Sequence, residues 1–231
     1  MKNLNIIILA GGFGKRIQSI SKGIPKPLMK IGSGVFLDLV LEKIFNNYNN
    51  SNIFLSLHYR PKLFKDYINN SRFKKRINAI IEPIPLGTGG AIKNVIDSVE
   101  IASPFITLNG DTLSKINLES MMNEMKKNEH KAMIGVSSVK NIYRYGSVIF
   151  DKGKVEKFKE KNTYGDGWIN NGHYVFNKDI FNNTKKSFSL EKELLPYLVA
   201  KNELGVFKVK DDDFIDIGIP SDYKKLQNLY K

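Results

Sequence analysis

An α/β fold built on a doubly wound, mostly parallel mixed sheet follows from three features of this 231-residue sequence. Short apolar runs of strand length alternate with amphipathic segments of helical period as far as Val139. A glycine-rich turn, Leu9-Ala10-Gly11-Gly12-Phe13-Gly14-Lys15-Arg16, follows the first run directly. After Val139, strand-like runs succeed one another without helices between them, which predicts antiparallel pairing in the second half.

The elements follow in order. Asn5–Ala10 reads as a buried strand, Phe36–Asn47 as an amphipathic helix, and Asn52–Leu57 as a second strand. Pro61–Asn70 is a helix with proline in its first turn, where the missing N–H costs nothing. Ile77–Glu82 is a strand, Gly89–Val99 a helix and Phe105–Leu108 a strand. Leu118–Lys127 is a helix and Ala132–Val139 a strand. Strands then follow at Ser147–Phe150, Val155–Phe158 and Trp168–Asn177, with Asp151-Lys152-Gly153-Lys154 turning the first into the second. A helix at Leu190–Ala200, strands at Leu204–Val209 and Phe214–Ile217, and a helix at Ser221–Tyr230 complete the pattern. Strands separated by helices imply βαβ units. No repeat, low-complexity segment or linker interrupts them, so residues 1–231 are expected to form one domain.

Composition narrows the function. With no cysteine, disulfides, thiolate metal sites and cysteine nucleophiles are excluded, which suits a reducing cytoplasm. The apolar run Ile6–Ala10 is far too short to span a bilayer, so no membrane partner is expected. The formal net charge is +13, but the excess is mostly lysine spread along the chain, and the densest basic cluster, Arg72 to Arg76, falls between a helix and a strand. Nucleic acid is therefore not expected as a partner; the positive field suits small anionic substrates instead. The oligomeric state stays open, a homo-oligomer included.

In doubly wound sheets, ligands sit beyond the carboxyl ends of the strands. The unusual motifs of this chain fall there. Gly11, Gly12 and Gly14 let backbone N–H groups approach an anion, and Lys15 and Arg16 add positive charge, so a polyphosphate is the natural guest. The turn is neither a Walker loop nor G-x-G-x-x-G. Glu82 to Gly90 follows the third strand, Asn109-Gly110-Asp111 the fourth, and Asp216 ends the last. Asp111 and Asp216 beside a phosphate loop suit Mg²⁺, which takes few protein carboxylates and fills its shell with phosphate oxygens and water. Taken singly, each aspartate also reads as a turn former or cap. Pro25-Lys26-Pro27-Leu28 presents a cation on a stiffened backbone. Glu82 only accepts hydrogen bonds, which matches the paired donors of guanine better than the donor and acceptor of uracil. Its alternative is a strand-end residue facing water.

The ordered motifs L-A-G-G-x-G-x-R, P-K-P-L, E-x-x-x-L-G-T-G-G-A, N-G-D, F-x-E-K, I-N-x-G-x-Y and D-I-G-x-P-x-D-Y span residues 9 to 223. Together they resemble the sugar-1-phosphate nucleotidylyltransferases. Within that family the chain is most similar to bacterial guanylyltransferases of D-glycero-α-D-manno-heptose 1-phosphate, on Arg144-Tyr145-Gly146, Ile169-Asn170-Asn171-Gly172 and Phe214–Pro220. The resemblance implies the Rossmann-like nucleotide-diphospho-sugar transferase fold. Residues 1–139 would mainly bind nucleotide, and 140–231 would mainly bind sugar phosphate and close the site. It implies an enzyme that joins a nucleoside triphosphate, GTP in first place, to a sugar 1-phosphate and releases pyrophosphate, for surface polysaccharide. Leu9, Ala10, Gly11, Gly12, Gly14, Glu82, Gly87, Thr88 and Asp111 would contact the nucleotide. Arg16 would neutralise the β- and γ-phosphates, and Lys26 would sit by the α-phosphate. Asp111 and Asp216 would hold Mg²⁺. Gly146, Glu160, Lys161, Asn171 and Gly172 would bind the sugar phosphate, with Lys161 on its phosphate; read alone, Glu160 and Lys161 look like a solvated strand end. Lys15 stands where the family usually has threonine, Ile17 where leucine is common, and His173 where an apolar residue is usual. His173 reads as a packing or pocket variant rather than a base. The alternatives are a uridylyltransferase, a mannose 1-phosphate guanylyltransferase, and a non-catalytic nucleotide-sugar-binding regulatory subunit.

Overall fold

The computed structural model describes residues 4–145, 147–159, 164–209 and 214–230. Its centre is one nine-stranded sheet. The strands are β1 (Asn5–Leu9), β2 (Asn52–Leu57), β3 (Ile77–Ile81), β4 (Phe105–Asn109), β5 (Ala132–Val139), β6 (Ser147–Asp151), β7 (Lys154–Lys159), β8 (Gly167–Phe176) and β9 (Leu204–Val209). Their spatial order is β3-β2-β1-β4-β8-β5-β9-β7-β6. β1, β2, β3 and β4 pair in parallel, as do β5 and β9. β8 runs antiparallel to both β4 and β5, and β7 antiparallel to both β9 and β6. The β6–β7 turn sits as its sequence demands, with Lys152 and Gly153 at φ 45 and 81°.

The helices are α1 (Phe36–Asn47), α2 (Pro61–Asn70), α3 (Gly87–Ser98), α4 (Leu118–Lys127), α5 (Leu195–Ala200) and α6 (Pro220–Leu229). Alternation along β1 separates two cores. Ile6 and Ile8 join one cluster with residues of α1, α2, α4 and α6, while Ile7 joins another with residues of α3 and α5. The sheet is thus wound on both faces. α1 shows how local sequence sets an element: Asp38 accepts from the Val35 N–H at 2.8 Å, fixing the start, and Phe36, Leu37, Val40, Leu41, Ile44 and Phe45 form the buried stripe. Each of those side chains contributes about 1.5–3 kcal/mol by leaving water. Among the described residues no helix is long and apolar enough to cross a membrane.

Two elements differ from expectation. The helix predicted over Leu190–Ala200 opens with a π-type turn at Leu190–Leu194 before becoming α-helical. The strand predicted over Phe214–Ile217 shrinks to Ile215–Asp216 and leaves the main sheet. It pairs instead with Thr112–Leu113 in a separate two-stranded ribbon. Asp216 therefore reaches the site through that ribbon, not as the end of a sheet strand.

Candidate active site

From β1 the chain steps outward to β3 and then crosses to β4 on the other side of β1. The strand order reverses between β1 and β4, and such a switch point leaves a crevice at the carboxyl ends. Leu9 and Asn109 are paired there, and the Gly110 N–H donates to the Leu9 carbonyl at 2.9 Å. A cleft of about 350 Å³ opens at this place. Leu9, Ala10, Gly11, Gly12, Gly14, Lys26, Glu82, Gly87, Thr88 and Asp111 all line it. Residues from four separate motifs thus share one wall.

Behind the glycine loop lies Glu82. It is 7% exposed, so it does not face bulk water as a simple strand end would. Its Oε1 accepts from the Ser56 hydroxyl at 3.1 Å and its Oε2 from the Leu86 N–H at 3.3 Å. Gly11 is required by this neighbour: a Cβ there would fall 2.8 Å from Glu82 Oε1 and 2.9 Å from the His58 nitrogen. Gly12 differs, because a Cβ there would meet nothing within 4 Å. Its added methyl would project into open cleft. Gly12→Ala is therefore expected to leave the melting temperature unchanged yet weaken nucleoside triphosphate binding about tenfold, as read by calorimetry. Unchanged affinity would show that no ligand approaches this turn.

Lys26 and Asp111 are charged residues of the cleft lining, whereas Asp216, Arg144 and Arg16 stand outside that lining. Lys26 Nζ lies 2.7 Å from Asp111 Oδ2, both largely screened from solvent. The Ile217 N–H donates to the Asp111 carbonyl at 3.1 Å, and Asp216 pairs with Thr112, so the ribbon draws the two aspartates together. Asp216 is 9% exposed. Burial, and next the charge of Asp111, push its carboxyl above the usual range; the Gly218 N–H, donating at 2.6 Å, and the nearby Lys26 and Arg144 oppose this. Arg144 stands between Asp216 at 3.8 Å and Asp222 at 2.7 Å, with its guanidinium over the Tyr145 ring. Arg16 is exposed, and its guanidinium reaches across to Gly218, where a Cβ would lie 3.2 Å from Nη2. Two carboxylates that repel each other in a shielded site form a donor set that fits a small divalent cation. Among the described residues no group of three or more metal-ligating side chains exists.

Next to β4, β8 bulges between Asn170 and Tyr174. Gly172 takes φ 79° within the bulge and lies against Asn109, whose Nδ2 would be 2.6 Å from a Cβ. Asn171 departs from the lining role expected of it. Its side chain is fully buried, donating to the hydroxyls of Ser114 and Ser137 at 3.3 and 3.0 Å and accepting from the His173 N–H. His173 is 6% exposed, with Nδ1 3.1 Å from the Asn171 carbonyl, in keeping with packing. Gly146, Glu160 and Lys161 lie outside the described residues.

Sequence reasoning missed His58 and Glu191, which also line the cleft, and placed Asn109 at a strand end there without giving it a role. Glu191 accepts from the Thr88 hydroxyl at 2.6 Å. No local pattern announces this contact, because it joins segments about a hundred residues apart.

Comparison with known proteins agrees with this geometry. Residues 5–231 match the Nucleotidyl transferase family. The chain is 35% identical over 226 residues, 97% of each chain, to D-glycero-alpha-D-manno-heptose 1-phosphate guanylyltransferase of Aneurinibacillus thermoaerophilus. It is 37% identical over 224 residues, 95% of this chain and 97% of the other, to the enzyme of the same name from Campylobacter jejuni. It also superposes on HddC from Yersinia pseudotuberculosis complexed with GMP-PN, with a TM-score of 0.85 at 34% identity, covering 99% of this chain and 100% of that one. With a match running from residue 5 to residue 231, the chain belongs to the Nucleotidyl transferase family.

Proposed function

We propose that this chain transfers a guanylyl group from GTP to a sugar 1-phosphate, with D-glycero-α-D-manno-heptose 1-phosphate as the favoured acceptor. One observation carries the reading: a single cleft has an acceptor-only carboxylate, Glu82, at its buried end and the Lys26–Asp111 pair at its charged end. A purine with two adjacent donors suits the first, and a transferring phosphate suits the second. The names of the relatives and the GMP-PN complex of HddC support the same choice.

The sugar phosphate oxygen is already an anionic nucleophile. It attacks the α-phosphorus in line, the bond to the β-bridging oxygen breaks, and pyrophosphate leaves with that electron pair. No base is needed, so the side chains position and neutralise. Lys26 can keep Asp111 with one of its three N–H groups and turn the others to the α-phosphate. Arg16, exposed beside Gly218, meets the β- and γ-phosphates. Asp111 and Asp216 would hold Mg²⁺, which when bound neutralises charge on the phosphates. Glu160, Lys161, Gly146 and Gly172 take the sugar phosphate, within a half of the chain, 140–231, that completes the nucleotide half, 1–139. GTP as donor and a chain without cysteine fit a cytoplasmic enzyme.

The test is base choice. Glu82→Gln puts a donor where guanine also donates, and one mispaired buried contact costs roughly 1–3 kcal/mol. The ratio of kcat/KM for GTP over UTP is expected to fall about ten- to hundred-fold. An unchanged ratio, or a parent that prefers UTP, overturns the reading.

A further inference from the structure

The segment Lys186–Glu191 is locked onto the start of α3. The Phe188 carbonyl accepts from the N–H groups of Gly89 and Gly90 at 3.1 and 3.2 Å, and the Phe188 N–H donates to the Leu86 carbonyl at 2.9 Å. The approach is so close that a Cβ at Gly87 would sit 2.5 Å from the Phe188 carbonyl oxygen, and one at Gly89 2.1 Å from its ring. The Leu190 N–H donates to the Thr88 hydroxyl at 2.9 Å, and that hydroxyl donates onward to Glu191 Oε2 at 2.6 Å. The Ser189 hydroxyl gives Oε2 a second bond at 3.1 Å. Of this whole locked segment, only Glu191 lines the cleft. It stands on the π-type turn, a geometry that re-aims side chains at functional positions.

Glu191 is thus an exposed but rigidly held carboxylate. No described residue donates to its Oε1, and no described cation pairs with it, in a chain of net charge +13. With no described cation between them, a fixed negative charge repels a polyphosphate, so Glu191 suits the uncharged part of the nucleotide. That part offers two kinds of donor, the N–H groups of the base and the ribose hydroxyls. The base edge belongs to buried Glu82, and Glu191 stands at the rim beside Thr88. We propose that Glu191 is a binding residue that accepts from the ribose hydroxyls, making the cleft selective for ribonucleotides over their deoxy analogues; this rests on the nucleotide reading of the cleft given above.

The experiment measures kcat and KM with GTP, 2′-deoxy-GTP and 3′-deoxy-GTP at saturating sugar 1-phosphate, for the parent, Glu191→Ala and Glu191→Gln. A hydrogen bond to a charged acceptor predicts that the parent prefers GTP over at least one deoxy analogue by about tenfold or more. Glu191→Ala lowers kcat/KM for GTP by that factor, through KM, and leaves the same analogue almost unchanged, so the ratio collapses. Glu191→Gln, which keeps an acceptor oxygen without the charge, gives an intermediate ratio. Equal losses on GTP and both analogues, or a rise confined to the KM of the sugar phosphate, overturn the inference, since a residue that merely bolts the loop would act so. A parent that turns over no nucleoside triphosphate overturns the functional reading itself, whereas a GTP-using parent with an unaltered ratio overturns this inference alone.

Discussion

Asp111→Asn is expected to lower turnover by about 10²-fold or more while the protein still folds. The substitution keeps the shape of a side chain that pairs with Lys26 at 2.7 Å, so Lys26 retains a neutral acceptor. What disappears is the negative charge that, with Asp216, completes the proposed cation site. Losing charge neutralisation of the transferring phosphate costs several kcal/mol of barrier, and each 1.4 kcal/mol or so is tenfold in rate. The measurement is kcat at saturating substrates over a series of Mg²⁺ concentrations, beside a circular-dichroism melt. Near-normal turnover in the variant, or in parent enzyme treated with EDTA, would remove both aspartates from the chemistry.

Asp216→Asn should lower turnover to a similar degree and yet not weaken the fold. The Asp216 carboxyl is held above the ordinary range, first by burial and then by Asp111. A group that binds its proton more tightly in the folded chain than in the unfolded one stabilises the fold fully below the unfolded pKa, about 4. That contribution is lost as pH rises through the folded pKa. As pH rises past that range, the parent has to ionise a shielded carboxylate, at a cost in stability. Asparagine removes the charge and can still accept from the Gly218 N–H. In metal-free buffer the variant should melt at or above the parent at pH 7, with the gap closing toward pH 4. A variant that melts below the parent throughout would mean that the Arg144 contact outweighs the burden of burial.

Much of the fold was legible because apolar period and punctuation agree. The runs Asn5–Leu9, Asn52–Leu57 and Ala132–Val139 stand between clear helix signals, and α1, α2 and α4 keep their predicted bounds. The candidate site was legible in the glycine turn, Glu82 and Asp111, since the winding rule sends those strand ends to one edge, whereas Asp216 arrives by the ribbon. Other features were hidden for physical reasons. Phe214–Ile217 has strand composition, but only a partner distant in sequence decides that it pairs with Thr112–Leu113 rather than the sheet. Thr88 carries no local sign that its hydroxyl is taken by Glu191. Asn171 reads as a polar residue at a ligand edge, whereas the bulge turns its amide inward to Ser114 and Ser137. Packing between remote segments settles each of these, and composition does not carry that information.

The two-residue ribbon has a consequence for biosynthesis. Asp111 leaves the ribosome with the cleft-forming strands already made, but Asp216 is translated about a hundred residues later. By the time Asp216 emerges, every residue that lines the cleft, Glu191 included, has already been made. A chain cut between β9 and the ribbon would lose Asp216 together with α6, whose Tyr223 and Leu226 belong to the core, so the second carboxylate and part of the packing that holds the fold arrive on the same last stretch of chain.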